Sequence, residues 1–122
     1  MTYDNFTIKS QELILRAQQL SGQLDQQSVD TVHLLKALFE IDEQLAEFLF
    51  GKMGINTIQL KKELNKAIEA FPKLEGTDKK YLTNYANKAL AKAKKLMPEY
   101  GDEFISIELI IAGIVGLSLI HI

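Results

Sequence analysis

The chain contains no cysteine, which excludes disulfides, a thiol nucleophile and a zinc ribbon, and fits a reducing cytoplasm. Arginine is nearly absent as well: Arg16 is the only one among the basic residues. Surfaces for nucleic acid use arginine and stacking aromatics, so no nucleic-acid partner is expected. Residues Met1 to Lys9 are polar and lack the apolar core of a signal peptide. The one uncharged apolar run, Leu109 to Ile120, is about 12 residues long, too short to span a bilayer and more typical of a buried helix. His33 and His121 each stand alone, with no second histidine at i+4, so no metal or other cofactor is expected. His33, in the first turn of a helix, reads as a packed or capping residue. Gly51-Lys52-Met53-Gly54 lacks the glycine spacing and the Lys-Ser/Thr ending of a phosphate loop. No nucleophile elbow or paired-carboxylate signature is present, and a binding module is expected rather than an enzyme.

What remains is an ordinary globular composition. With 122 residues, 47% hydrophobic and 25% charged, the chain can bury a real core as one soluble domain. The net charge of −2 is unevenly placed: residues 1–51 carry 3 basic and 8 acidic side chains, residues 52–122 carry 11 and 8. The lysines of the second half alternate with Ala and Leu, as on a solvated helix face.

One pattern occurs twice. Thr31-Val32-His33-Leu34-Leu35-Lys36-Ala37-Leu38 and Ser106-Ile107-Glu108-Leu109-Ile110-Ile111-Ala112-Gly113 both read as a hydroxyl N-cap followed by apolar residues at helical spacing, at an offset of 75. Each follows a longer amphipathic helix, so the chain reads as an internal duplication.

Periodicity predicts six helices and no strand. The first runs from a Thr7 cap to Leu20, with Ile8, Leu13, Ala17 and Leu20 inward, and ends at Ser21-Gly22. The second covers Thr31 to Phe39, and Asp42 caps a third over Glu43 to Phe50. Asn56-Thr57-Ile58-Gln59 resembles a capping box and opens a fourth that ends at Ala70, before Pro72. The fifth, Lys79 to Met97, places Leu82, Tyr85, Ala86, Ala89, Leu90, Ala93 and Leu96 at helical spacing. The sixth runs from Ser106 to about Val115. Phe71 to Asp78, with Pro72, Gly76 and charges, is the best linker and holds little that could pack as a regular element.

The residues that carry a family resemblance are Phe6-Thr7-Ile8-Lys9-Ser10-Gln11, His33-Leu34-Leu35-Lys36-Ala37-Leu38, Gly54-Ile55-Asn56, Phe71-Pro72-Lys73-Leu74-Glu75-Gly76 and Gly101-Asp102-Glu103-Phe104-Ile105-Ser106-Ile107-Glu108-Leu109. Through them the chain resembles the N-terminal Clp repeat domain of ClpB-type AAA+ disaggregases, stress-response chaperones, over residues 1 to about 115. The resemblance implies an all-α fold of tandem repeats related by a pseudo-twofold, without enzymatic activity of its own. It implies a cytoplasmic domain that binds unfolded or aggregated polypeptides and passes them to ATPase modules. Full-length members form homohexamers and work with a DnaK-type chaperone system. By the same resemblance Thr7, Asp102 and Glu108 are substrate-binding positions, with Leu96 and Leu109 in an apolar groove beside them. Read from the residues alone, Thr7 caps a helix, Asp102 stabilises a turn and Glu108 favours a helix dipole.

On this reading residues 1–70 form the first repeat, 71–78 the linker, 79–115 a truncated second repeat and 116–122 an atypical tail. The fifth and sixth helices are then expected to expose apolar surface that missing partners would cover, favouring self-association. Two other functions stay open at this point: an adaptor-docking domain of the ClpC or ClpA type, and a membrane-anchored structural protein using the C-terminal apolar run.

Overall fold

The structure is a computed structural model whose description covers residues 3–74 and 79–121, with side chains described through Gly116. Six helices account for most of it: α1 (Ile8–Gln23), α2 (Thr31–Ile41), α3 (Glu43–Lys52), α4 (Thr57–Glu69), α5 (Asn84–Leu96) and α6 (Ile107–His121). The most extensive contacts are α5 on α6 and α1 on α2, and α3 and α4 pack against α2. The core lies among these helices, built on Leu13, Ile14, Ala17, Leu34, Leu38, Leu90 and Ile110, all essentially inaccessible to solvent.

Helix starts are set by local chemistry. Thr7 Oγ1 accepts from the Ser10 amide, Asp42 Oδ1 from that of Leu45 and Asn56 Oδ1 from that of Gln59, each satisfying a first-turn N–H that the helix cannot. The start of α2 departs from expectation, because Asp30 and not Thr31 is its N-cap. The Asp30 N–H donates to Nδ1 of His33 at 3.0 Å, the back-reaching half of a capping box with histidine in the place of Glu or Gln. The end of α1 departs too. Ser21 and Gly22 remain helical because the Ser21 hydroxyl donates to the carbonyls of Gln26 (2.7 Å) and Ser28 (2.9 Å), tying the last turn to the loop that follows. The reversal is made by Asp25 at φ 57, a residue type that tolerates the left-handed region.

Strands are present where none was expected. β1 (Ser28–Val29) and β2 (Tyr81–Leu82) form a two-residue parallel ladder, Ser28 opposite Tyr81 and Val29 opposite Leu82. An isolated parallel bridge joins Phe6 to Ile105. Tyr81 and Leu82 therefore precede α5, which begins at Asn84 with Thr83 as its cap rather than at Lys79. Both pairings hold two helix starts side by side: α1 with α6, and α2 with α5.

The two pairings are copies of one another. Thr7 and Thr83 cap α1 and α5, Asp30 and Ser106 precede α2 and α6, and each pair is 76 positions apart. The Thr7 amide donates to the Ile105 carbonyl at 3.0 Å, and the Thr83 amide to that of Val29 at 3.0 Å. The Gln11 side chain donates to Phe6 O at 3.1 Å, and that of Asn87 to Leu82 O at 3.2 Å. The register is thus 76, one more than the 75 read from sequence, because the true cap of α2 lies one residue before the threonine that had been aligned with Ser106. At this register the buried Leu13, Ile14, Ala17, Leu34 and Leu38 match the buried Ala89, Leu90, Ala93, Ile110 and Ile114.

Between the two units, residues 71–74 form no helix or strand, but Phe71 is anchored. It packs edge-on against the His33 ring at 5.3 Å, and the Leu74 amide donates to Asp25 O at 2.7 Å. Residues 75–78, the rest of the expected linker, lie outside the described residues. Beyond Val115 the sixth helix continues to His121. The apolar surface expected on α5 and α6 is not found among the described side chains of α6: Ile107, Leu109, Ile110, Ile111 and Ile114 are all buried. They are accommodated by a close approach of the two helices, with Gly113 placed so that a Cβ there would lie 2.4 Å from Ala89 O.

Candidate functional site

The structure brings some of the sequence-predicted site residues together and separates others. Thr7 is half-buried at the start of α1, its hydroxyl occupied by the Ser10 amide (3.1 Å) and hydroxyl (2.8 Å). Its own amide pairs with Ile105, three residues after Asp102 and three before Glu108. Asp102 and Glu108 are exposed, and neither has an ion-pair partner among the described residues. Asp102 follows Gly101, whose φ of 70 closes a 3-10 turn over Pro98–Tyr100, and its amide donates to Met97 O at 3.0 Å. Glu108 stands in the first turn of α6, where its charge favours the helix dipole. Leu96, the last residue of α5, is partly buried against the core. Leu109 is only 3% exposed and lies within the core rather than on an open groove.

An open groove runs along α1. It has a volume of about 420 Å³ and is lined by Tyr3, Ile8, Gln11, Glu12, Ile14, Leu15 and Gln18. Ile8, expected to face inward, is 81% exposed, and Leu15 is 54% exposed. Helical geometry explains both. The buried stripe of α1 consists of Ser10, Leu13, Ile14, Ala17, Leu20 and Ser21, and at about 100° per residue Ile8 falls roughly 160° from Ser10. Leu15, seven residues on, shares that outer face. The spacing of Ile8 and Leu15 opposite the inward stripe was the signal available in the sequence, and the inward assignment of Ile8 hid it. Near the same end of the molecule Phe104 (52%) and Tyr100 (64%) are also exposed.

The duplication supplies an internal control for this surface. The positions of α5 that match Ile8 and Leu15 are Asn84 and Ala91. The fold requires apolar residues at matching buried positions of α1 and α5, but it requires no apolar side chain on the outer face. Two large aliphatic groups in water at 81% and 54% exposure, flanking one groove, are therefore not explained by packing.

Among the described residues no group of three or more His, Cys, Asp or Glu could hold a metal ion, and no helix is long and apolar enough to cross a membrane. His33 is fully buried and neutral. Its Nδ1 accepts from the Asp30 amide, so Nε2 carries the proton and donates to Gln26 Oε1 at 2.8 Å, while Gln26 Nε2 donates to Ile68 O at 2.8 Å. Burial lowers the His33 pKa, the Asp30 charge opposes that and Lys36 adds to it. The histidine thus joins α2 to the end of α4 in a structural role.

Comparison with known proteins agrees with this architecture. The model of the Clp repeat (R) N-terminal domain matches residues 5–119. The chaperone protein ClpB of Bacteroides thetaiotaomicron is 36% identical over 118 residues, covering 97% of this chain and 14% of the relative. That of Bacillus cereus is 36% identical over 112 residues, covering 88% and 13%. The chain thus spans a small fraction of the length of these relatives. Among solved structures, the Hsp104 N-terminal domain from Candida albicans superposes with a TM-score of 0.82 at 19% identity, over 97% of this chain and 78% of that one. The N-terminal domain of the chaperone ClpD from Arabidopsis thaliana gives 0.67 at 19% identity, over 93% and 77%. With matching helix starts, a family model covering nearly its whole length and the same fold in solved N-terminal domains, the chain belongs to the Clp repeat N-terminal domain family.

Proposed function

We propose that this chain is a substrate-recognition domain of a ClpB-like disaggregase and binds exposed apolar segments of unfolded or aggregated polypeptides. The observation that carries the reading is the groove on α1, with Ile8 and Leu15 exposed on a face where the matching helix has Asn84 and Ala91. An open groove in which Ile8 and Leu15 stand among Gln11, Glu12 and Gln18 suits a weak and tolerant site, as needed for chains without defined structure. Asp102 and Glu108, exposed at the end of the molecule where α1 and α6 begin, accept amide bonds from an extended segment, with Thr7 holding the edge of α1 in place. In this reading α1–α4 and α5–α6 are tandem repeats, and the domain delivers its clients to ATPase modules of a hexameric, cytoplasmic chaperone that cooperates with a DnaK-type system.

The test is a titration of a fluorescently labelled, permanently unfolded polypeptide into the domain. Two variants are compared with the wild type: Ile8→Asn with Leu15→Ala, and the triple Thr7→Ala, Asp102→Ala, Glu108→Ala. Loss of binding in the first variant, with helicity unchanged, supports the groove. Loss in the triple variant places the polar residues in the site. Undiminished binding in both sinks the proposal.

A further inference from the structure

We propose that the outer face of α5 is a docking surface for an acidic polypeptide segment, a partner different from the apolar segments assigned to α1. Helix α5 carries Lys88, Lys92, Lys94 and Lys95 and no acidic residue. All four lysines are exposed, and none has an ion-pair partner among the described residues. Lys88, Lys92 and Lys95 follow one another at i+4 and i+3, which puts them within about 60° of one another on the side away from the core.

Helix stability does not call for this arrangement. Lys94 and Lys95, in the last turn, favour the dipole of the helix, but Lys88 and Lys92 are like charges at i, i+4, a repulsive spacing. The matching positions of α1 hold Glu12 and Arg16, opposite charges at the favourable spacing. The two copies therefore differ in sign at the first of these positions, Glu12 against Lys88, and keep a cation at the second, and the pair on α5 is the locally unfavourable one. A charge cluster that weakens its own helix is explained by a ligand of opposite sign.

The chemistry of the face selects among anionic ligands. It has no arginine and only Tyr85, 48% exposed, at its edge, which is poor equipment for stacking bases. Its remaining outward residues include Asn84 and Ala91, with no large apolar side chain to enter a bilayer. A peptide carrying carboxylates fits better. Lys88 and Lys92 are about 6 Å apart along the helix axis, close to the roughly 6.6 Å between alternate residues of an extended chain. The partner is therefore an extended segment with Asp or Glu at alternate positions.

The experiment is fluorescence anisotropy with a labelled ten-residue peptide alternating Glu and Ser, at low and at moderate salt. We expect binding that weakens several-fold with added salt and at least tenfold in Lys88→Gln, Lys92→Gln, Lys95→Gln. A control with the same loss of charge elsewhere, Lys62→Gln, Lys66→Gln, Lys73→Gln, should stay within about twofold of the wild type. In the unmodified protein, amide chemical-shift changes on adding the peptide should cluster in residues 84–95, a readout independent of how any variant folds. Equal loss in both variants, shifts centred elsewhere, or no binding of the acidic peptide overturns the proposal. So does tighter binding of a ten-nucleotide uridine RNA or of phosphatidylserine vesicles.

Discussion

The Thr83 hydroxyl donates to the Asp30 carboxylate, so the N-caps of α5 and α2 are bonded to each other across the molecule. The same hydroxyl accepts from the Ala86 amide at 3.1 Å. One side chain thus closes a helix start and joins the two copies of the fold. Thr83→Val keeps the shape and removes both bonds. It should lower stability by about 1–3 kcal/mol, a cap plus a hydrogen bond to a charged group, read as a lower urea midpoint with an unchanged slope.

Gly113 and Gly116 lie one turn apart in α6 and should respond oppositely to alanine. At Gly113 a new Cβ would meet the Ala89 carbonyl at 2.4 Å, a backbone atom that cannot step aside. Gly113→Ala should cost about 1–3 kcal/mol as α5 and α6 are forced apart. At Gly116 a Cβ meets nothing within 4 Å among the described residues, so Gly116→Ala should gain up to about 1 kcal/mol of helix propensity. Thermal melts of the two variants check the pair.

His33 makes stability depend on pH with a definite sign. Its folded pKa lies below its ordinary value, chiefly through burial. Above about pH 6.5, the unperturbed value, both folded and unfolded states are neutral at this position and it contributes no slope. As pH falls below that value the unfolded chain takes up the proton first, and stability declines until the folded pKa is passed. Urea midpoints between pH 7.5 and 5 should show this fall, and His33→Gln should remove this component of it.

Ile8→Asn with Leu15→Ala should leave stability within about 0.5 kcal/mol of the wild type, as expected at exposed positions without structural partners. A larger loss would mean that these side chains support the fold, and the groove would lose its claim to be a binding surface. Melting the variant alongside the binding titration separates the two.

Much of the helical framework is legible in the sequence because its signals are local. Thr7, Asp42 and Asn56 act within three residues of themselves, and Pro98 follows α5 closely enough to announce its end. What is illegible depends on distant partners. Thr31 and Asp30 are both good caps, and the choice between them follows from the β1–β2 ladder and from Thr83, 53 positions away in sequence. The strands are two residues each, too short to display alternation. Apolar character alone does not turn Ile8 inward: its angle to Leu13 and Ala17 places it outside. Of the proposed site, Asp102 and Glu108 rest on family likeness alone, and Leu15 is legible only through its angle, seven residues from Ile8 and opposite the inward stripe of α1.

The twin parallel pairings also bear on how the chain closes. The Phe6–Ile105 bridge by itself shuts a loop of 99 residues and the Val29–Leu82 pair one of 53. Once the inner pair is made, only 23 residues on either side separate it from the outer one, equal arms because the register is 76. The entropic cost of the outer closure then falls by roughly 0.7 kcal/mol on the logarithmic dependence of closure on length. The outer pairing, which sets the start of α1 beside the start of α6 where Ile8 begins the groove, is thus entropically coupled to the inner ladder: opening the ladder raises the cost of keeping the outer pair closed.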